Sequence, residues 1–276
     1  MRPFTSTTFS LALAAVCAAR RHHRHGPRAR DDAGTTGIKV YDACVQDSHY
    51  AISFDDGPYK WTSQLNELFA SYGAKGTFFV NGLNFDCIYN YAESLQALYL
   101  AGHDIGSHTW AHEDVANLTE TQLEDTLTKV EVALQKILGI KPALFRPPYG
   151  SYNQANLDVL NRRGYSTILW SFDTLDASGA SVNESDAGYK KVLATSPAPG
   201  ISLQHETHSS TVHEVVPYAL QQFTQAGYQL VTMSECLGLS AYQDQQPAQS
   251  NALYGLLNVL QTRGLPQRDD SWTCDS

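Results

Sequence analysis

The chain has 276 residues, with 28 acidic against 19 basic side chains and a formal net charge of -9. Six of the basic residues are arginines within residues 1–30 (Arg2, Arg20, Arg21, Arg24, Arg28 and Arg30), where no Asp or Glu occurs; without that leader, 13 basic groups face 28 acidic ones, a charge of -15. Such a surface repels phosphate backbones and argues against general nucleic-acid binding. The absence of G-x-G-x-x-G and G-x-x-x-x-G-K-[ST] argues against a nucleotide enzyme. No apolar run reaches the ~18 residues that span a bilayer, while 42% hydrophobic and 11% aromatic residues supply a substantial core.

At the N-terminus, Arg2 and polar residues precede an apolar stretch from Phe9 to Ala19 that ends in small residues. This is the layout of a secretory signal peptide, expected over residues 1–19 with cleavage near Cys17–Arg20. A basic leader or pro-segment containing His22, His23 and His25 is expected over residues 20–39; a His-rich tract also has the composition of a metal binder. Once Cys17 is removed, Cys44, Cys87, Cys236 and Cys274 remain, an even number suited to an oxidising compartment. Four cysteines permit three pairings. A Cys44–Cys236 bridge would tie the two ends of the domain together and Cys87–Cys274 would then staple the tail; buried free thiols are the alternative. Asn117 and Asn183 open glycosylation sequons, and no hydrophobic C-terminal tail of the kind that directs a GPI anchor is present. The expectation is a secreted monomer, extracellular or in the cell wall, with no membrane anchor.

From Tyr50 to about Leu237, short β-type runs alternate with helical patterns. Strands are predicted at 51–54, 76–80, 104–107, 143–146, 167–170, 201–204 and 229–231. Helices are predicted over 62–72 and 91–100, then from Thr119 to Gly139, and from Gln154, about Asp186 and about Val212. Thr119 and Gln122 have the spacing of a capping box, and Leu123, Leu127, Val130, Leu134 and Ile137 follow at intervals of three and four. About seven β/α repeats predict an α/β fold: a distorted (β/α) barrel of parallel strands wrapped by helices over residues 40–238. Residues 239–276 are expected to form a tail packed on the barrel, with one more helix over 251–261.

In such a barrel the site lies at the C-terminal ends of the strands. The polar residues collect there: Asp55 and Asp56 after the first strand, His108 and His112 after the third, Arg146 at the end of the fourth, Asp173 and Asp176 after the fifth, His205 after the sixth. Two histidines four apart plus one carboxylate of the Asp pair make a two-His, one-carboxylate set suited to Zn²⁺, with Co²⁺, Mn²⁺ or Fe²⁺ able to use the same donors. Local hydrogen bonding is the competing reading of the histidines, and turn chemistry that of Asp-Asp-Gly-Pro. Two prolines after Arg146 restrict the backbone there, which suits a residue that orients a carboxylate.

These motifs resemble the polysaccharide deacetylases of carbohydrate esterase family 4, the NodB homology domain. Ser53-Phe54-Asp55-Asp56-Gly57-Pro58 is similar to the family's first motif, T-F-D-D-G-P, and His108-Thr109-Trp110-Ala111-His112 to the second, H-[ST]-x-x-H. Arg146-Pro147-Pro148-Tyr149-Gly150 matches the third, and Leu203-Gln204-His205-Glu206 is similar to the fifth, L-x-H-D. The stretches 75–82 and 234–238, with the positions of Cys44 and Cys236, look most like fungal chitin deacetylases. The resemblance implies Asp56, His108 and His112 as metal ligands, Asp55 as catalytic base and His205 as catalytic acid. It implies Arg146 as the group orienting Asp55, the Tyr149 N–H as part of an oxyanion hole, and Asp176 of the fourth motif as a tether for Arg146. Two departures stand out: Ala177 replaces the usual aromatic of D-x-x-D-W, and Glu206 replaces an Asp, which is expected to alter the tuning of His205. Tyr59, Trp61, Trp110, Tyr149 and Tyr152 are candidates to line a sugar groove. The expected activity is removal of N-acetyl groups from chitin or chitooligosaccharides. The competing readings are another polymer (acetylxylan or peptidoglycan) and a carbohydrate-binding protein with a degenerate site.

Overall fold

The structure, a computed structural model, describes residues 29–30, 38–195, 197–243 and 264–274. The expected signal peptide, most of the leader with its histidines, and the predicted helix over 251–261 lie outside the described residues. The elements run β1 (Ala29–Arg30), β2 (Val40–Tyr41), β3 (His49–Gly57), α1 (Thr62–Ser71), β4 (Thr77–Val80), α2 (Ala92–Leu100), β5 (Asp104–Ser107), α3 (Glu120–Leu138), β6 (Leu144–Phe145) and α4 (Gln154–Arg162). There follow β7 (Ser166–Ile168), β8 (Phe172–Asp173), α5 (Val182–Ala194), β9 (Gly200–His205), α6 (Val216–Gln225), β10 (Gln229–Leu230) and α7 (Met233–Leu237).

The strands form one curled sheet in the order β1-β2-β7-β6-β5-β4-β3-β9-β8, with β10 also beside β3. Every pairing is parallel except β1 with β2. This is the expected distorted barrel, with ten strands among the described residues rather than about seven. Part of the excess is β8, which lies just beyond the predicted strand over 167–170; that strand is β7 and ends at Ile168. Leu169 N–H donates to Tyr41 O and Ser171 N–H to Ile201 O, so the chain leaves its neighbours at one edge and reaches β9 at the other. A two-residue β2 carries no legible alternation, which is why the sequence pattern missed it.

Local signals set the helix ends. The Thr119 side chain accepts from Gln122 N–H and Gln122 returns a bond to Thr119 N–H, while Gly139 closes α3 at φ 71°. α5 begins four residues before its expected start because Glu184 accepts from the Ser181 N–H at 2.8 Å, an S-x-x-E signal the periodicity obscured. α3 buries Leu123, Leu127, Val130, Leu134 and Ile137 against the sheet, and β3 runs through the centre of the core with only Asp56 partly exposed.

Of the three cysteine pairings, the structure contains Cys44–Cys236 and Cys87–Cys274, closing spans of 192 and 187 residues. Ala143 N–H donates to Ala241 O, and the Tyr242 hydroxyl accepts from Ile105 N–H. Farther on, Trp272 is buried beside the Tyr89 ring, 5.9 Å between centroids. Both sequon asparagines are exposed, Asn117 in a short turn and Asn183 in the first turn of α5. No helix among the described residues is long and apolar enough to cross a membrane.

Candidate metal centre and active site

The strand ends meet in one region, and backbone strain concentrates there. Among the described residues, the five non-glycine positions with positive φ are Asp56, Thr109, His112, Tyr149 and Leu175, all at or just beyond the C-terminal ends of β3, β5, β6 and β8. Each costs on the order of 1–3 kcal/mol, which packing elsewhere must offset. At Asp56 the register between β3 and β4 also shifts, between Asp55 and Gly57. That irregularity aims two adjacent carboxylates differently: Asp55 is 2% exposed and turned into the barrel, whereas Asp56 is half-buried at its rim.

Donor atoms of Asp56, His108 and His112 lie within 4.8 Å of one another. Asp56 Oδ1 is 3.3 Å from His112 Nε2 and 3.8 Å from His108 Nε2. His108 Nδ1 lies 2.7 Å from Arg146 O, a pure acceptor, so Nδ1 carries the hydrogen and Nε2 keeps its lone pair toward Asp56. Burial disfavours the protonated imidazole of His108, against the pull of Asp55 and Asp56. A neutral imidazole with its second nitrogen pinned to a carbonyl is the form that ligates metal. Two imidazoles and a carboxylate therefore fit a divalent cation such as Zn²⁺.

Asp55 Oδ1 accepts from Arg146 Nη1 at 2.8 Å, and its Oδ2 is 3.6 Å from His108 Nε2. Arg146 is fully buried; its Nη2 donates to Ser53 Oγ at 2.8 Å and Leu169 O at 3.2 Å, and its guanidinium lies 4.2 Å from the Phe79 ring centroid. Burial pushes its pKa down and the adjacent Asp55 carboxylate opposes that. Asp176 does not tether Arg146, contrary to expectation. Its Oδ1 lies 2.7 Å from His205 Nδ1, and its Oδ2 accepts from His205 N–H at 2.8 Å and Thr211 Oγ1 at 2.7 Å. The reason is position: Arg146 runs from β6 into the barrel to meet β3, while Asp176 sits on the turn after β8, beside the end of β9.

Burial works against the charged form of His205, but the Asp176 bond and the charges of Asp176, Asp55 and Asp56 outweigh it and push its pKa up to about 9. Tyr149 is 70% exposed, with φ 60° and its ring edge-on to His112 at 4.6 Å. Ala177 is exposed, and Tyr59, Trp61 and Trp110 are half-buried. His208 lies 6.0 Å from His205 between ring centroids, and His213 Nδ1 lies 2.8 Å from Ser209 O, away from the donor cluster.

Glu206 turns away from His205. It is 1% exposed and takes a hydrogen bond from Thr62 Oγ1, which itself accepts from Tyr59 N–H at 2.9 Å. Burial first, then the charge of Asp56, pushes its pKa up to about 8, with the Thr62 bond acting the other way. The longer side chain thus bolts the end of β9 to the first residue of α1 and leaves His205 to Asp176. It occupies the space a side chain on residue 57 would need: a Cβ on Gly57 would sit 1.6 Å from Glu206 Oε1. Gly57→Ala is expected to lower stability by about 1–3 kcal/mol, read as a fall in Tm; an unchanged Tm would remove this account of the glycine. The elevated Glu206 pKa means the folded protein holds this proton more tightly than the unfolded chain. Its contribution to stability is full below the ordinary Glu value of 4.5 and lost as pH rises through about 8.

Sequence reasoning missed Ser53, Thr211, Asn81 and Asn84, whose hydrogen bonds hold the site residues. For the asparagines a signal was present, the N-G-x-N run directly after β4.

A family profile described as polysaccharide deacetylase matches residues 42–168. A chitin deacetylase from a Pestalotiopsis species is 38% identical over 201 residues, covering 72% of this chain and 67% of that protein. A probable peptidoglycan-N-acetylglucosamine deacetylase from Arthroderma benhamiae is 32% identical over 206 residues, covering 72% of this chain and 46% of that protein. The chain therefore spans about two thirds of the first relative and less than half of the second. The solved structure of the chitin deacetylase from Colletotrichum lindemuthianum superposes with a TM-score of 0.70 at 28% identity, over 75% of this chain and 96% of that one. With its motifs at the strand ends and its relatives in agreement, the chain belongs to the polysaccharide deacetylase family.

Proposed function

We propose that this protein is a secreted, metal-dependent N-deacetylase that releases acetate from N-acetylglucosamine residues of chitin or chitooligosaccharides. The reading covers the domain over residues 40–238, acting outside the cell after removal of residues 1–19. The observation that carries it is the three-donor cluster of Asp56, His108 and His112, flanked by a carboxylate bonded to Arg146 and an imidazole bonded to Asp176. Relatives named chitin deacetylase direct the choice of polymer, and the two disulfides suit an oxidising compartment.

A divalent cation held by these donors, Zn²⁺ before Co²⁺, supplies Lewis-acid polarisation of the acetyl carbonyl and acidifies water. The protein's own groups do the rest. Arg146 occupies Asp55 Oδ1, leaving Oδ2 toward the donor cluster to take a proton from the water that attacks the acetyl carbon. The Tyr149 N–H donates to the oxyanion that forms. His205 keeps Nδ1–H on Asp176 and passes the Nε2 proton to the departing nitrogen as the C–N bond breaks. Acetate leaves, and the sugar retains a free amine. With its pKa near 9, His205 holds that proton at neutral pH.

Acetate release from a defined pentamer of N-acetylglucosamine, compared with acetylated xylan and peptidoglycan, tests the polymer. The peptidoglycan reading is kept because one relative bears that name, and faster release from peptidoglycan would select it. His108→Ala is expected to lose tightly bound metal, measured by elemental analysis after dialysis; full metal content would remove His108 from the ligand set.

A further inference from the structure

The loop that leaves β4 brings an amide to the candidate cation site. Asn84 is exposed, and its Nδ2 donates to Asp56 Oδ1 at 3.2 Å and to Asn81 Oδ1 at 3.2 Å. Both partners are oxygen acceptors, so the amide can face them only with its nitrogen. Asp56 Oδ1 is the same oxygen that faces the Nε2 atoms of both histidines. A carboxylate oxygen has two lone pairs: one takes the Asn84 hydrogen and the other points at the donor cluster. Asn81 is itself 2% exposed and donates through Nδ2 to the carbonyls of His108 and Thr109. The two asparagines thus connect the carboxylate donor to the backbone of an imidazole donor.

Asn84 does not sit on a regular element, so something else must hold it. Gly82 N–H and Leu83 N–H both donate to Trp110 O, at 2.9 and 2.7 Å, and Ile88 N–H closes the loop onto Gly82 O at 2.8 Å. Leu83 and Cys87 form an antiparallel bridge across its base. Cys87, three residues beyond Asn84, is bonded to Cys274 in the C-terminal segment. That segment is fixed in turn: Trp272 is buried beside Tyr89, Arg268 Nη1 donates to Tyr89 O at 3.1 Å, and Lys136 Nζ donates to Ser271 O at 2.7 Å.

We propose that Asn84 is a positioning residue for the Asp56 carboxylate, and that the Cys87–Cys274 bridge holds it in place, so that the C-terminal segment contributes to cation affinity. The inference rests on the assignment of Asp56, His108 and His112 as ligands. Groups that orient a ligand in this way typically carry about 10–100-fold in metal affinity. A carboxylate freed from Asn84 samples other rotamers and must be reordered when the cation binds.

The experiment is calorimetric or competition titration of metal-stripped protein with Zn²⁺, which reads affinity without turnover. Asn84→Ala is expected to weaken Zn²⁺ binding about 10–100-fold; at an exposed loop position it leaves far-UV circular dichroism unchanged. The double variant C87S/C274S is expected to weaken binding to a smaller degree, and to add little in the Asn84→Ala background, since both act through one amide. Trp272→Ala, which loosens the same segment with the bridge intact, is expected to give a smaller loss of the same sign and serves if the cysteine variant does not fold. Wild-type affinity in Asn84→Ala overturns the proposal. A cysteine variant that weakens binding equally with and without Asn84 overturns the link to the C-terminal segment. His108→Ala is the control: if it retains Zn²⁺, the ligand assignment fails instead.

Discussion

Asp55→Asn is expected to lower kcat by about 10²–10⁴-fold, the scale of a lost general base, while the metal content stays at the wild-type level. Two effects separate in this variant because Asp55 has two duties. Its Oδ2 faces the donor cluster, and its Oδ1 neutralises Arg146, which is fully buried. Breaking a buried ion pair by removing one charge costs about 3–5 kcal/mol, since the other charge stays buried and uncompensated. The asparagine oxygen can still accept the Arg146 hydrogen, so the stability loss is expected at or below the lower end of that range. A fall in Tm should therefore accompany the loss of turnover. Turnover within tenfold of wild type would show that another group takes the proton, and unchanged stability would show that Arg146 finds its compensation elsewhere.

The second large effect is expected at Asp176. In the folded protein His205 is pushed up to about 9, with burial opposing the shift and Asp176 supplying most of what overcomes it. An acid that must donate a proton works below its pKa, so the alkaline limb of the pH–rate profile reports His205. Asp176→Asn removes the negative charge that sustains the imidazolium, and its amide nitrogen can donate to Nδ1, favouring the neutral Nε2–H tautomer, a far weaker acid than the imidazolium. The expected result is a loss of about 10²–10⁴-fold in kcat and an alkaline limb displaced to lower pH. Stability moves in the same sense. A histidine raised above its ordinary 6.5 contributes fully below that value and loses the contribution as pH rises through about 9; in the variant this slope should shrink. Bound cation offsets the charges of Asp55 and Asp56, so His205 should also titrate lower in loaded than in metal-stripped protein, measurable by NMR. An alkaline limb that does not move in Asp176→Asn would separate Asp176 from the acid.

The contrast between Asp176 and Asp55 shows what a linear motif conveys. The residue types and their place after strands were legible: Asp55, Asp56, His108, His112, Arg146, Asp176 and His205 all lie at strand ends in the structure. The limits of α3, its cap at Thr119 and its stop at Gly139 were legible as well, because capping and periodicity act within a few residues. Partner choice was not. Arg146 meets Asp55 across 91 residues and Asp176 meets His205 across 29, and nothing in either local sequence says which carboxylate will neutralise which cation. Glu206 went to Thr62, across 144 residues, for the same reason.

What the amino-acid sequence alone determined is the set of donors and the alternation of elements that carries them to one end of a barrel, since both are encoded over spans of a few to about twenty residues. The tertiary structure decided the pairing of buried charges, the splitting of the chain after β7 across the open edge of the sheet, and the seating of Asn84 on Asp56 by a bridge to Cys274. Those outcomes depend on the distance between side chains brought together from remote segments, and in a low-dielectric interior a shift of a few ångströms decides which polar groups are satisfied.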